Sequence, residues 1–458
     1  MGGAGGTRGV SRGPDAATRS RRSLQPDSWD GGLTPVDLAR RAAYQVLDEV
    51  GGGRPFDVAL DRAVRKLDER DRRLVHELAA GVLRRRGDLD LALAPLTERG
   101  WESVGPKVRT VLRLGAYQLL ELDKVPAHAA VDTSTELARW AAGEKAAGFV
   151  NAILRRLGRE GGPARSAPGS RRSHPAWLLL RWDQRFGAAE TDRLLLWNDS
   201  PAPLVLQGAR RSTEEISAAL DAAGIAHEAA PHHAGLVIDA TRPTEFPGFA
   251  AGDFIVQDPA QALVVRYAAI PAGVTVYDAC AAPGGKAIGL GRIARRVIAG
   301  DAKAVRVGRL AENLRRAGSG REFPVVADAA APPCRAVDVV LLDAPCLGTG
   351  TFARHPDARW RVTPTALRQL ASRQAALLDA LAPVVAPGGL FIYATCSLEP
   401  EENGDQMERF LARHPEFTRE VPAGFPAEFL SPTGDLELLP FRHGTDGAFA
   451  ARLRRRPA

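Results

Sequence analysis

What the chain lacks narrows its class before any motif is read. Only four cysteines occur in 458 residues, at positions 280, 334, 346 and 396. Their spacings give no C-x-x-C pair or other zinc pattern, and they are too few to staple a chain of this length as a disulfide framework. No stretch approaches ~18 uncharged apolar residues, which excludes a transmembrane helix and a membrane partner. The first thirty residues contain no apolar core, so no secretory signal is expected and the chain reads as cytoplasmic. In that reducing compartment any special role for a cysteine is catalytic. Lysine is also scarce, at six of the 61 basic residues. Heavy use of arginine fits a GC-rich genome as well as selection for phosphate contacts.

What is present reads as an ordinary globular protein of two to four domains, with 45% hydrophobic and 25% charged residues. The 46 Gly and 33 Pro are spread among periodic apolar segments, which excludes a collagen-like fibre. The net charge of +7 is uneven: residues 1–32, 157–173 and 451–458 carry +2, +3 and +4, and the rest of the chain −2. These three arginine-bearing pieces look flexible. A pI near 9.5 permits a nucleic-acid partner without locating a binding face.

Residues 1–32 read as a disordered basic tail. Thr34-Pro35-Val36-Asp37 then supplies an N-cap, Pro at the first helical position and an acid in the first turn. Val36, Ala39, Ala43, Val46 and Val50 follow at three-to-four spacing until Gly51-Gly52-Gly53. Similar segments at 71–86, 106–122, 127–142 and 144–157 predict an all-α domain over 33–157. Residues 158–173 have linker composition and positive charge, and are expected to be flexible. Residues 174–250 predict a small α+β module: a helix at Trp177–Phe186, an apolar run Pro203–Leu206, a helix at 213–223 and a strand at 235–239. Residues 251–458 form the third unit. There the runs Val274–Asp278, Val297–Asp301, Val325–Asp328, Val337–Asp343 and Leu390–Thr395 alternate with helices. That pattern predicts an α/β Rossmann-like parallel sheet with ligands at the carboxyl ends of its strands. Four of the runs end in Asp, and their acids would converge on one crevice.

The first strand runs into Asp278-Ala279-Cys280-Ala281-Ala282-Pro283-Gly284-Gly285-Lys286, a small-residue loop opening a helix, where a ligand can approach the backbone. A P-loop is excluded, because Cys280 stands at its first glycine and Ala287 at its hydroxyl; the G-x-G-x-x-G fingerprint of a nicotinamide dehydrogenase is missing too. Asp301 lies 23 residues after Asp278, near the ~20-residue offset of a ribose-binding acid. An adenosine ligand without a phosphate cradle fits best, which means S-adenosylmethionine. The fourth strand ends in Asp343-Ala344-Pro345-Cys346-Leu347-Gly348-Thr349-Gly350 and the fifth in Tyr393-Ala394-Thr395-Cys396-Ser397-Leu398-Glu399-Pro400-Glu401-Glu402-Asn403. Each delivers a cysteine just past a strand end in a polar context, and the two strands would be neighbours. Cys280 and Cys334 lack that setting and read as small apolar fillers.

Together the Cys280–Lys286 loop, the Asp343–Cys346 segment and Thr395-Cys396-Ser397 resemble motifs of RNA cytosine-5 methyltransferases. Phe149-Val150-Asn151-Ala152-Ile153-Leu154-Arg155-Arg156, His174-Pro175-Ala176-Trp177-Leu178 and Arg181-Trp182 resemble the bacterial RsmB (Sun/Fmu) branch. So do Arg354-His355-Pro356-Asp357, Trp360, His443 and Asp446-Gly447. The likeness runs from about 34 to 454. It departs at Ala287, where the family commonly has a hydroxyl residue, and at Leu347, where it has a small one.

The resemblance implies a NusB-like RNA-binding domain joined to a class I S-adenosylmethionine-dependent methyltransferase that acts on 16S ribosomal RNA. It implies that S-adenosylmethionine is held by Cys280, Ala281, Ala282, Pro283, Gly284, Gly285 and Lys286, by Asp301 at the ribose and by Asp328 near the adenine, with Asp343 beside it. Carbon 5 of cytosine is a poor nucleophile toward a methyl sulfonium, and a thiolate added at carbon 6 makes it enamine-like. By resemblance Cys396 is that nucleophile, Asp343 hydrogen-bonds the base, and Cys346 assists release. RNA contacts are expected from Arg84-Arg85-Arg86, Arg155-Arg156 and the linker arginines, with the target base flipped or single-stranded. Two alternatives stay open: the same reaction on transfer RNA or 23S RNA, and a non-catalytic RNA-binding factor, against which the presence of both cysteines argues.

Overall fold

The structure, a computed structural model, describes residues 1–3, 35–161, 169–239 and 242–457. The rest of the basic tail, the capping Thr34 and the middle of the linker lie outside the described residues.

Helices α1 (Pro35–Gly51), α2 (Phe56–Val64), α3 (Glu69–Arg84), α4 (Arg86–Leu93), α5 (Pro106–Glu121), α6 (Ala127–Ala142) and α7 (Glu144–Glu160) build the first domain around one apolar cluster. The three-to-four period explains the packing: α3 buries Val75, Leu78, Ala79, Val82 and Leu83, and α7 buries Ala147, Val150, Ile153, Leu154 and Leu157. Each such large side chain contributes about 1.5–3 kcal/mol. Asp68 caps α3 by accepting the Asp71 N–H at 2.8 Å, and Pro106 starts α5. Two helices were not expected. At nine and eight residues, α2 and α4 are too short to show a period, and the single helix expected over 71–86 breaks at Arg85, whose φ −100° and ψ 9° end α3.

Next come α8 (Ala176–Phe186) and α9 (Ala188–Asp199), then β1 (Leu204–Gly208), α10 (Thr213–Ala222), β2 (His227–Ala229), β3 (Leu236–Ile238) and β4 (Phe254–Val256). The four strands form an antiparallel sheet in the order β2-β3-β1-β4, so the sheet extends past residue 250. Helices α8 and α9 turn away from it: Leu178, Trp182, Leu194 and Leu195 pack with Leu347, Phe352 and Leu398 of the third domain.

That third domain continues with α11 (Pro259–Ala268), β5 (Thr275–Asp278), α12 (Gly285–Gly291), β6 (Arg296–Asp301), α13 (Ala304–Ala317), β7 (Glu322–Val326), β8 (Val337–Asp343), α14 (Pro364–Leu381), β9 (Val385–Thr395), α15 (Gly404–Arg413), β10 (Phe417–Arg419), β11 (Leu436–Leu438), α16 (Pro440–His443) and β12 (Ala448–Arg455). The sheet order is β10-β12-β9-β8-β5-β6-β7, with β11 on β12; β9 to β7 run parallel, and β10, β11 and β12 pair antiparallel. Alternation sends Tyr277, Val340, Leu342, Phe391 and Tyr393 into one apolar cluster and Val276, Val339, Leu341, Leu390 and Ile392 into another, so both faces are covered. The chain winds one way from β5 to β6 and β7, and the other way to β8 and β9. The crevice therefore opens at the carboxyl ends of β5 and β8.

Three expectations need correction. β7 ends at Val326, so Asp328 lies two residues past the strand, exposed on a turn; Pro324 suits that strand because β7 is the sheet edge. The C-terminal arginines are not a loose tail: Arg452 and Arg454 lie in β12 and both pair with Glu420. The end of the linker is fastened, with the Gly169 N–H on Asp199 at 2.9 Å, Ser170 on Asp88 at 2.8 Å and Arg171 on Asp183 at 2.8 Å.

Candidate active site

The loop after β5 is tied to both neighbouring strands. The Ala279 N–H donates to Leu341 O at 2.9 Å on the β8 side, and the Ala281 N–H to Gly300 O at 2.8 Å on the β6 side. A cis Ala282–Pro283 bond follows. Gly284 then takes φ +115°, where any side chain would be strained, and a Cβ there would sit 2.9 Å from Leu310 Cδ1. From α13, Arg306 and Asn313 donate to the carbonyls of Ala282 and Pro283, both at 2.9 Å.

Around this loop the acids are unequal. Asp278 is wholly buried, and neither of its oxygens has a hydrogen bond among the described residues. Burial, with Asp343 nearby, pushes its carboxyl up to about 7 against the pull of Lys286. Lys286 Nζ donates to Asp343 Oδ2 at 2.7 Å and to Gln261 Oε1 on α11. Asp301 is buried at the end of β6, accepting the Lys303 N–H at 3.1 Å and pairing with Arg306 at 3.2 Å. Burial and the surrounding acids push the Cys280 thiol up to about 12, so it stays neutral. Cys334 lies partly buried against the core ahead of β8.

In register Asp343 faces Ala394 across β8 and β9, and the chain continues on both sides into the cysteines. Cys346 Sγ and Cys396 Sγ stand 3.3 Å apart, and the Cys396 N–H points at Cys346 Sγ at 3.4 Å. The hydrogen bond with Cys396, then burial, hold the Cys346 thiol well above its usual range. Three groups clasp the two loops. Glu402 accepts the Leu347 N–H on both oxygens at 3.1 and 3.2 Å, and Gln374 Nε2 bridges Glu402 Oε1 and Pro345 O, each at 2.9 Å. Thr349 Oγ1 takes the Leu398 N–H at 2.8 Å. The Gly350 N–H donates to Cys396 O at 3.0 Å, while a Cβ on Gly350 would come within 2.7 Å of Gly447 Cα. From α8, Arg181 and Trp182 reach Glu399 at 2.9 and 3.1 Å.

The structure therefore brings together the 280–286 loop, Asp301, Asp343, Cys346 and Cys396, with Asp278 beneath them, and leaves Asp328 on the rim. The arginine cluster is structural: Arg84 and Arg85 are buried, Arg85 pairs with Glu121 at 3.3 Å, and Arg86 stacks 4.9 Å over Trp360. Gln261, Gln374 and Glu402 were missed. Glu402 sits in the Pro400-Glu401-Glu402-Asn403 run and is wholly buried, which nothing in the local sequence signals. No group of side chains among the described residues could hold a metal ion, and no described helix is long and apolar enough to cross a membrane. A cleft of about 1040 Å³ opens between α2, α3, the small sheet and Ala353-Arg354; neither Cys346 nor Cys396 lines it. Arg354 is fixed there by Asp258 at 2.8 Å and Asp446 at 3.0 Å.

The pattern of this chain matches three family models: 16S rRNA methyltransferase RsmB/F over residues 269–454, the NusB family over 37–159, and an RsmF/B-like ferredoxin-like domain over 174–245. A probable ribosomal RNA small subunit methyltransferase B of Synechocystis sp. is 35% identical over 91% of this chain and 99% of its own length. The ribosomal RNA small subunit methyltransferase B of Pseudomonas putida is 35% identical over 92% of this chain and 98% of its own. In fold, the crystal structure of PH0851 superposes with a TM-score of 0.78 at 23% identity, covering 93% of this chain and 99% of that one. The chain belongs to the 16S rRNA methyltransferase RsmB/F family.

Proposed function

We propose that the protein is an S-adenosylmethionine-dependent methyltransferase that forms 5-methylcytosine in 16S ribosomal RNA, working in the cytoplasm through a covalent Cys396–C6 adduct. One observation carries this reading: two thiols 3.3 Å apart, delivered by adjacent parallel strands to the crevice beside a small-residue loop. A filler role explains neither the pairing nor the polar clasp around it.

The site fits S-adenosylmethionine on its own chemistry. Asp278 offers two buried oxygens without partners, and with Asp301 and Asp343 it makes an acid-lined pocket suited to a positively charged ligand with ribose hydroxyls. The backbone and side chains of Cys280, Ala281, Ala282, Pro283, Gly284, Gly285 and Lys286 would hold it, with Asp301 at the ribose and Asp328 at the adenine edge. When bound, S-adenosylmethionine supplies the electrophilic methyl group. The protein's own residues do the rest. Cys396 as thiolate adds to carbon 6, which places electron density on carbon 5. Asp343, fixed by Lys286, hydrogen-bonds the ring as charge develops. After methylation the carbon-5 proton passes to solvent water, its electron pair re-forms the 5,6 double bond, and the C6–S bond breaks so that Cys396 leaves as thiolate. Cys346, 3.3 Å from the leaving sulfur, assists that elimination.

The test is tritium release from [5-³H]cytosine-labelled small-subunit RNA incubated with protein and S-adenosylmethionine. Release in proportion to methyl incorporation is expected. Methylation of that RNA without loss of tritium would overturn the carbon-5 assignment, and release only from transfer RNA or 23S RNA would overturn the substrate.

A further inference from the structure

Past the cysteine-bearing Asp343–Gly350 loop the chain enters the helical domain and the linker instead of returning to the sheet. Phe352, wholly buried, packs beside Trp182 of α8 with ring centroids 6.2 Å apart. The Ala353 carbonyl accepts Arg84 Nη2 of α3 at 3.3 Å. Asp357 takes the N–H of Phe56, the first residue of α2, at 3.3 Å and pairs with Arg361 at 2.7 Å. Arg359, at 0% exposure, pairs with Asp199 at 2.7 Å and donates to the carbonyls of Asn198 at 2.6 Å and Ser173 at 3.4 Å. Trp360 Nε1 donates to Leu83 O at 2.8 Å, under the Arg86 guanidinium and against the helical core.

Between the end of β8 and Thr349 the Cys346 loop has no regular structure of its own, so its place is set by what grips its two ends. Glu402 and Gln374 grip the first end. The second end is continuous with residues 351–361, whose anchors lie on α2, α3, α9 and the linker. A fully buried guanidinium–carboxylate pair tolerates little displacement, because parting it strands a charge in the interior. We infer that residues 351–361 form a strap by which the helical domain and the linker hold the Cys346 loop in register. Arg359 and Trp360 are positioning residues for the product-releasing step that Cys346 assists, and the helical domain contributes to turnover as well as to RNA affinity. This rests on the proposed reading of the cysteines.

The test uses the full chain as wild type, Trp360→Ala and Trp360→Phe. The readouts are methyl incorporation from labelled S-adenosylmethionine into small-subunit RNA (kcat and KM), RNA affinity, and S-adenosylmethionine affinity by calorimetry. For Trp360→Ala, kcat falls on the order of 10- to 100-fold, the scale for ångström misplacement of a reacting group, with both affinities within about threefold of wild type. Trp360→Phe keeps a ring and loses only the bond to Leu83 O, so it falls in the same sense by less; it carries the test if the alanine variant does not fold. Weakened RNA binding with unchanged kcat would overturn the inference and make the strap a docking contact. Unchanged kcat and affinities in both variants would overturn it outright. A wild type that incorporates methyl without releasing carbon-5 tritium would defeat the proposed reaction alone, because the kcat split is read from methyl incorporation.

Discussion

The Cys346 thiol, 3.3 Å from the Cys396 sulfur, is held up by its hydrogen bond with Cys396 and by burial, so it stays neutral at about pH 7. This divides the labour and gives a sharp prediction. Cys396→Ala neither methylates RNA nor forms a covalent complex, whereas Cys346→Ala transfers methyl but retains product as an adduct that survives denaturing electrophoresis. An adduct in Cys396→Ala that is missing from Cys346→Ala would reverse the assignment. Glu402→Ala leaves the Leu347 N–H and the Gln374 amide without their buried acceptor, which costs about 1–3 kcal/mol in urea unfolding and slows adduct breakdown. Unchanged stability and unchanged breakdown would remove Glu402 from the clasp. The two cysteines and three of the four acids, Asp278, Asp301 and Asp343, were legible as strand-end residues because strand, acid and thiol are contiguous there, whereas Asp328 falls past the end of its strand. Glu402 was not, since its partners Leu347 and Gln374 lie 55 and 28 residues away.

Elements with many residues on one period announced themselves, and those whose stability comes from a distant partner did not. Helices α2 and α4 span only nine and eight residues, and β2 and β4 only three each. The arginines of β12 read as a basic tail because Glu420, which neutralises Arg452 and Arg454, is 32 and 34 residues away. At this scale one close contact joins the two loops beside the cysteines. Gly350 and Gly447 meet so closely that a Cβ on Gly350 would lie 2.7 Å from Gly447 Cα and 2.9 Å from Cys396 O, both backbone atoms. Gly350→Ala therefore displaces the Cys396 loop and lowers kcat by about tenfold or more. S-adenosylmethionine affinity, which the proposed reading assigns to the β5–α12 loop, stays near wild type. Calorimetry and methyl incorporation on the same preparation check this, and full activity would show that the loops can part without consequence.

Across the whole molecule, buried ionisable groups give stability a pH dependence of defined sign. Asp278 and Glu402 are pushed up to about 7 by burial, and Asp446 is raised as well. A carboxyl raised in this way keeps its proton in the folded state after the unfolded chain has lost it. The contribution of these carboxyls to stability therefore falls as pH rises from about 4 to 7, and the penalty is complete above that range. Buried His174 and the less buried His76 and His355 are lowered by desolvation and act oppositely, removing stability below about pH 6.5. Comparing Asp278→Asn with wild type cancels the histidines. The variant gains stability in urea unfolding at pH 8 and much less at pH 4, and an equal difference at both pH values would show that Asp278 does not titrate with folding. Interdomain packing was the part of the molecule least open to sequence reading. Arg84, Arg85 and Arg86 look like a phosphate-binding patch until Glu121, Ala353 and Trp360 are seen around them.

The pairing of β12 with β9 also has a consequence for synthesis. Residues 396–447 separate the two strands, yet β12 covers the edge of β9 that leads to Cys396. At roughly 5–20 residues per second, a growing chain leaves that edge bare for some seconds after Cys396 is made. The helical domain, complete by residue 160, has time to fold in that interval. The sheet that aligns the two thiols closes only after residues 448–455 emerge, so the site beside Cys396 is completed last, well after the helical domain has had time to fold.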